Sequence, residues 1–352
     1  MSFFRRRDGR EGEGRCERKY PPPAGNLSGY ARKNLTLILI IIWLLGSSLG
    51  VPLSLNAEQR IGLGMWVWSS SSFLTQEARQ QLVQFCLKHR ITHLDVYVKM
   101  TQRGIKPVLK DAEAFRDLIA FAGQHNITIA ALRGNPKMFF SQNHERTLEE
   151  LQAIVAFSKT LPQDNSFKGI KYDVEPYCTK EWKAGRMPLY PMMHDYLVLL
   201  RKARSLLAKE APHLWLAADI PFWWDKDRFA LEFEGKRKRF SEHVQDLTDF
   251  ITIMSYRRSP QKILDCVEDE RRYAKQIDKV IFPSLETVKL ARDPQVSFWG
   301  MPNEEFWKVV SELLDKTKRD PEIGGVMVHC YRTFYEKLNN GTPYELGEVT
   351  PD

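Results

Sequence analysis

From residue 61 onward the chain alternates short apolar, β-branched or aromatic runs with longer segments whose apolar residues recur every three or four positions. The short runs predict strands at 64–68, 93–100, 127–133, 167–175, 214–220, 249–256, 279–286 and 324–331. The longer segments predict helices over 76–88, 113–124, 147–159, 193–209, 264–277 and 304–316. Thr147 with Glu150 three residues later predicts a capping-box start, and Asn303 ahead of Phe306 and Trp307 a weaker one. Residues 225–246 carry no clear helical period and predict an irregular insertion. Eight strand-then-helix units in roughly 280 residues predict one closed parallel (β/α)8 TIM barrel over 60–338, with 339–352 as a tail. A doubly wound open sheet is the alternative, but it normally places a Gly-rich turn after its first strand. Here Trp68 is followed by four serines.

The amino terminus has a different pattern. Residues 1–34 hold nine Lys/Arg against four Asp/Glu and few aliphatic side chains, which predicts a disordered basic segment. Residues 35–55 carry no charge. Their dense apolar part, with small residues after it, suits a signal peptide, and the whole stretch is long enough for an uncleaved membrane anchor. The basic flank keeps the short end cytoplasmic, so either reading predicts an exported barrel: extracellular, periplasmic or in the cell envelope. The five cysteines show no CxxC or zinc-like spacing; paired and free thiols both remain open.

Composition then narrows the function. The chain is 43% hydrophobic and its net charge is +8, but residues beyond 34 hold 43 basic against 40 acidic side chains. A nucleic-acid binder concentrates basic charge on its folded domain, so nucleic acid is not an expected partner. No Walker loop, GxSxG elbow or HExxH motif occurs, and His89 with His93 straddle a helix-to-strand turn. Neither metal nor cofactor is expected. The run 236–239, KRKR, reads as a solvated face or a contact for anionic lipid or acidic glycan.

Barrel chemistry collects at the carboxyl ends of the strands. The polar and aromatic candidates there are Trp66, Trp68, Lys99, Arg133, Asp173, Glu175, Asp219, Tyr256, Arg257, Glu286, His329 and Tyr331. Trp223 joins them from the loop after the fifth strand, because exposed indoles stack on the CH faces of sugars. The fourth strand is the most informative. Alternation puts Lys171, Asp173 and Glu175 on one face and Tyr172 and Val174 on the other, so the charged face points into the lumen. Two carboxylates spaced about 6.5–7 Å apart at Cα raise one another's proton affinity. A protonated Glu175 beside an ionised Asp173 would be a general acid near neutral pH. A structural Lys171–Asp173 ion pair, with Glu175 in solvent, is the plainer alternative.

The run Gly169-Ile170-Lys171-Tyr172-Asp173-Val174-Glu175 resembles the fourth-strand motif of family-18 glycoside hydrolases, the chitinases and endo-N-acetylglucosaminidases. Met254-Ser255-Tyr256 and Gly324-Gly325-Val326-Met327 are similar to that family's sixth and eighth strands. The resemblance implies Glu175 as proton donor. It also implies Asp173 and Tyr256 as the groups that orient a substrate acetamido group for attack on the anomeric carbon. Lysines stand at 168 and 171 where the family has acids, and Arg257 and His329 replace other substrate-facing residues. Lys171 is expected to hold Asp173 ionised.

Glu175 and Glu286 also fit a retaining pair at the ends of strands four and seven. The leading expectation is therefore an exported glycoside hydrolase-like enzyme acting on a polysaccharide or amino-sugar glycan, with Lys99, Arg133, Lys171, Asp219, Arg257, His329 and Tyr331 as further substrate contacts. A non-hydrolytic glycan-binding barrel is the rival, and a barrel lyase or isomerase is a third reading.

Overall fold

The computed structural model describes residues 60–184 and 189–341, all within one compact unit, Ser54–Asp352. The basic segment 1–34, the apolar stretch 35–55 and most of the tail lie outside the described residues. No helix among the described residues is long and apolar enough to cross a membrane.

Eight strands close a parallel barrel: β1 (Gly62–Val67), β2 (Ile91–Tyr97), β3 (Thr128–Arg133), β4 (Gly169–Tyr172), β5 (Trp215–Pro221), β6 (Phe250–Met254), β7 (Val280–Glu286) and β8 (Gly325–His329). They are hydrogen-bonded in sequence order, and β1 also pairs with β8. The expected (β/α)8 barrel is present. Its outer helices are α1 (Gln76–His89), α2 (Ala112–Gly123), α3 (His144–Ser158), α4 (Leu189–Glu210), α5 (Phe240–Leu247), α6 (Glu268–Gln276), α7 (Asn303–Thr317) and α8 (Tyr331–Leu338). Residues expected as one helix over 264–277 form a short helix, Pro260–Asp265, and then α6. The insertion after β5 is two short 3-10 turns and a hairpin, Ala230–Phe233 with Lys236–Arg239, leading into α5. The basic run is thus an edge strand whose Lys238 pairs with Asp246 and Arg239 with Asp227. A second hairpin, Met100–Arg103 with Lys106–Leu109, follows β2.

Neither expected cap forms, although the helix expected after Asn303 does begin there. The segment His144-Glu145-Arg146 extends α3 backward, so Thr147 lies inside it and donates to the Asn143 carbonyl at 3.0 Å. Glu150 is taken instead by Arg133 and Arg146. Asn303 caps nothing; its amide bridges the Leu338 carbonyl and the Lys337 ammonium.

Strand alternation explains the two apolar layers. Leu63, Met65, Val67, Leu94, Val96, Ile170, Tyr172 and Val174 pack outward against the helices in the main core. Trp66, Leu132, Phe250, Phe282 and Met327 fill the lumen. Glycine on the inner face makes room for the large residues: a Cβ at Gly169 would overlap the Trp215 indole. At the β1–β8 seam the obstacle is backbone, since a Cβ at Gly325 would lie 2.4 Å from the Gly62 carbonyl oxygen. The four described cysteines, Cys86, Cys178, Cys266 and Cys330, are free thiols.

One buried acid stands apart from the barrel lumen. Glu270, in the first turn of α6, is 1% exposed, and neither carboxyl oxygen has a hydrogen-bond partner. Burial, followed by the nearby Asp225 charge, pushes its carboxyl well above the usual range.

Gly325→Ala is expected to destabilise the barrel by about 1–3 kcal/mol, because the neighbouring backbone cannot move aside; denaturant unfolding measures it. Burial raises the folded Glu270 carboxyl above the value of 4.5 that it has when exposed, so its contribution to stability is present at low pH and lost as pH rises through the folded value. Glu270→Gln should therefore raise the melting temperature at pH 8 and leave it nearly unchanged at pH 4, as calorimetry at the two pH values would show.

Candidate active site

The site is built from the lumen upward. On β2, alternation turns His93 and Asp95 inward, and on β4 and β5 it does the same for Lys171 and Asp219. Lys171 is 1% exposed; its Nζ lies 2.7 Å from Asp95 Oδ2 and 3.1 Å from Asp219 Oδ1. Asp95 also faces His93 Nε2 at 3.0 Å, and His93 Nδ1 meets Thr128 Oγ1 at 2.8 Å. Trp66 Nε1 donates to Asp219 Oδ2 at 2.9 Å, and the Lys171 ammonium sits 4.8 Å from the centre of the Trp66 ring. The plain Lys171–Asp173 ion pair does not form. The lysine reaches instead to β2, two strands away, and to its neighbour β5.

One ammonium is shared by two buried carboxylates, and their proton affinities separate. Burial works against the ionised form of Asp95, but Lys171 and then His93 outweigh it and hold the carboxyl below its ordinary range. Burial dominates at Asp219, which is pushed up to about 6 although Lys171 draws it down. Asp173 has its Oδ1 sealed from solvent with no hydrogen-bond partner. Burial, then the charges of Asp219 and Glu175, push it well above the carboxylate range. The expectation that Lys171 keeps Asp173 ionised is overturned. The ammonium is spent on Asp95 and Asp219, and Asp173 is driven toward its neutral form.

β4 ends at Tyr172, three residues short of the expected strand end. The Asp173 N–H still bonds the Arg133 carbonyl at 2.8 Å, so the inward alternation extends to Asp173. Glu175 lies just beyond, where the chain enters a 3-10 turn at Pro176–Cys178. It is half-buried at the rim. The Tyr177 hydroxyl donates to its Oε1, and the Cys178 thiol approaches its Oε2 at 3.8 Å. Tyr177 is itself packed on Trp223, ring centres 5.3 Å apart, so the aromatic loop after β5 steadies the group that holds Glu175.

Across the mouth, Glu286 at the end of β7 is 6% exposed, and its Oε1 accepts from the Val288 N–H at 2.8 Å. His329 Nδ1 lies 3.1 Å from the same oxygen, and His329 Nε2 lies 2.9 Å from Trp68 Nε1. An indole nitrogen only donates, so His329 accepts at Nε2 and presents its N–H to Glu286. The His329–Cys330 peptide bond is cis. Tyr256 completes the mouth from β6. Burial, then the charges of Glu286, Asp173, Asp219 and Glu175, push its phenol well above the usual value, so all four carboxyls act on one hydroxyl.

Other expected contacts fall elsewhere. Trp66 is 2% exposed and offers no face to a ligand; its role is the N–H given to Asp219. Arg133 points outward, because Leu132 takes the lumen position before it. It donates to the Val98 carbonyl at 2.6 Å and pairs with Glu150 on α3. Tyr331 is buried behind β8 against Phe85, ring centres 5.3 Å apart. Lys99 lies where the hairpin after β2 begins, its carbonyl bonded by the Lys110 N–H. Trp68, Trp223 and Arg257 do stand at the rim. His93, Asp95, Tyr177 and Cys178 were missed. The alternation of His93, Asp95 and Tyr97 on β2 could have flagged the first two.

A cavity of about 590 Å3 lies at the opposite, amino-terminal end of the barrel, lined by residues that include Thr128, Phe167 and Trp215. It holds none of the rim residues, although His93, which contacts Asp95, is part of its lining. Among the described residues no group of three or more His, Cys, Asp or Glu side chains could hold a metal ion.

No protein-family model matches the sequence. No curated protein matches it. Solved structures match in fold. A GH113 β-1,4-mannanase superposes with a TM-score of 0.50 at 14% identity, covering 78% of this chain and 89% of that one. A family-18 N-acetylglucosaminidase from Paenibacillus barengoltzii gives 0.48 at 14% identity, covering 80% and 98%. A chitinase from Bacteroides thetaiotaomicron gives 0.47 at 14%, covering 80% and 95%. The chain is thus a barrel similar in fold to a glycoside hydrolase, the GH113 β-1,4-mannanase.

Lys171→Met removes the ammonium from between Asp95 and Asp219 and should cost about 3–5 kcal/mol at pH 7, since both carboxyls stay buried without their shared cation, with only His93 and Trp66 left beside them. The deficit should shrink on acidification, because Asp219, pushed up to about 6 even beside the lysine, takes up a proton sooner without it. Urea unfolding at pH 7 and pH 5 measures both.

Proposed function

We propose that this barrel is a glycoside hydrolase in which Glu175 protonates the leaving oxygen of a glycosidic bond. The observation that carries the reading is the setting of the two mouth glutamates: Glu175 stands half-buried at the rim with the Tyr177 hydroxyl donating to its Oε1, and Glu286 is fixed across the mouth by the Val288 N–H and His329. A general acid needs this combination of reach and fixed direction. Asp173, pushed above the carboxylate range by burial, lies beside it.

Two routes deliver the attack on the anomeric carbon. In the first, a substrate acetamido group attacks while Asp173 and Tyr256 orient it. In the second, Glu286 attacks, a glycosyl–Glu286 ester forms as the glycosidic bond breaks, and Glu175 then deprotonates the water that releases the sugar. The fixed setting of Glu286 favours the second: the Val288 N–H and His329 hold its Oε1 in place, whereas Asp173 is driven away from the ionised form that polarises an amide. Trp68 and Trp223 at the rim support a sugar-lined cleft. The uncharged stretch 35–55 supports export, so the substrate is an extracellular or cell-envelope polysaccharide, with the enzyme membrane-attached where that segment is retained.

Glu175→Gln is expected to lower kcat at least about a hundredfold on whichever member of a β-mannan and chitooligosaccharide panel the wild type cleaves. Wild-type-like turnover would exclude Glu175 as the donor. A wild-type chain that binds these oligosaccharides for hours and cleaves none would make the barrel a glycan-binding module instead.

A further inference from the structure

A cavity of about 540 Å3 opens beside the proposed mouth, lined by Arg257, Arg258, Ser259, Lys262, Gln295 and Val296. Its walls are the two loops that carry the site. Arg257 directly follows Tyr256, and Arg258 donates to the carbonyls of Ser297 and Trp299, the latter at 3.3 Å. Between those residues the Phe298 N–H bonds the Glu286 carbonyl at 2.8 Å, so the cavity and Glu286 share one strip of backbone.

Both guanidinium groups are fixed without being neutralised. Arg257 donates to the Tyr256 carbonyl at 2.7 Å and lies 4.8 Å from the centre of the Phe222 ring. Arg258 is held by neutral carbonyls alone. Among the described residues no carboxylate pairs with Arg257, Arg258 or Lys262. Several other arginines are paired with acids, among them Arg201 with Glu234, Arg239 with Asp227, Arg272 with Asp269 and Arg332 with Glu336, while Arg60 is held by carbonyls. Three cations around one concavity repel each other and are partly desolvated by its walls, so an anion entering it removes both penalties. Planar guanidinium forks held in advance match the paired oxygens of a carboxylate or sulfate.

We infer that this cavity is a subsite for a negatively charged substituent on a sugar neighbouring the cleaved bond, which makes the substrate an acidic polysaccharide. The inference rests on the glycosidase reading for what the mouth does, and on the unpaired cations for what the cavity takes. A uronic acid carboxylate and a sulfate ester share the required chemistry.

The test measures binding on the full chain carrying Glu175→Gln, which separates recognition from cleavage. Calorimetric titrations would use trigalacturonate, a sulfated galactan oligosaccharide and an uncharged galactan oligosaccharide of similar length. At about 50 mM salt one charged probe should bind at least about tenfold tighter than the uncharged one, and the gap should close near 500 mM as the charges are screened. Adding Arg257→Gln and Lys262→Gln should reduce the preference to about threefold or less, with Lys262→Gln alone intermediate; the exposed Lys262 serves as the variant least able to disturb folding. Whichever charged probe binds tighter assigns the substituent as carboxylate or sulfate. Equal affinity for charged and uncharged probes, or a preference that survives the double change, overturns the subsite. Hydrolysis is read separately on the wild type. A chain that cleaves nothing yet shows this salt-sensitive preference supports the subsite and removes the catalytic reading, and one that cleaves only uncharged chains does the reverse.

Discussion

The charge state of the whole barrel mouth is set by one ammonium group placed where no water reaches it. Lys171 can be buried at that depth only because Asp95 and Asp219 flank it, one from each side of the lumen. The compensation is unequal. Asp95 has both Lys171 and His93 beside it and bears its charge readily, while Asp219 and, above it, Asp173 meet burial and each other with too little positive charge to go round. The lumen is therefore uneven: Asp95 is held toward its ionised form, while Asp219 and Asp173 are pushed toward their protonated forms. Glu175 stands just beyond them at the rim.

Aromatic side chains at the mouth serve as fixed donors more than as platforms. Trp66 gives its N–H to Asp219 and covers Lys171. Trp68 gives its N–H to His329, which thereby turns its own N–H to Glu286. Tyr177, braced by Trp223, orients Glu175. The two candidate glutamates thus sit in different settings, one steadied by a phenol at the rim and one buried under backbone and imidazole donors. A retaining glycosidase needs its acid and its nucleophile to differ in this manner.

Much of this could be read from the chain alone, and the failures have physical causes. Eight apolar runs separated by helical periods gave the barrel, because burial on both faces leaves a strong local signature. The inward row Lys171–Asp173 followed from alternation, as did the outward Tyr172 and Val174. The same parity, applied to β3, turns Arg133 outward once Leu132 is seen to fill the lumen. Depth along a strand is not written locally, which is why Trp66 was expected at the surface and is buried. The partners of Lys171 were beyond reach for a related reason: Asp95 is 76 residues away in sequence, and only closure of the barrel brings them together. The same distance hides the apportioning of protons, so Asp173, the acid expected to stay charged, is pushed toward its neutral form by burial and by Asp219. At the helix starts, the local capping pattern at Thr147 lost to a tertiary ion pair that claimed Glu150.

The pairing of Gly62 with Gly325 has a consequence for how the chain comes into being. A polypeptide emerging from the ribosome, or threading through a translocation pore, presents β1 first and β8 almost last. Until β8 arrives, the curved sheet has two unpaired margins and an unsealed interior in which Lys171 and its acids are still hydrated. The side chains that define the lumen thus acquire their final protonation only with the last strand, and a nascent chain stalled before residue 325 would carry every candidate catalytic group except His329 in an open trough rather than a closed well.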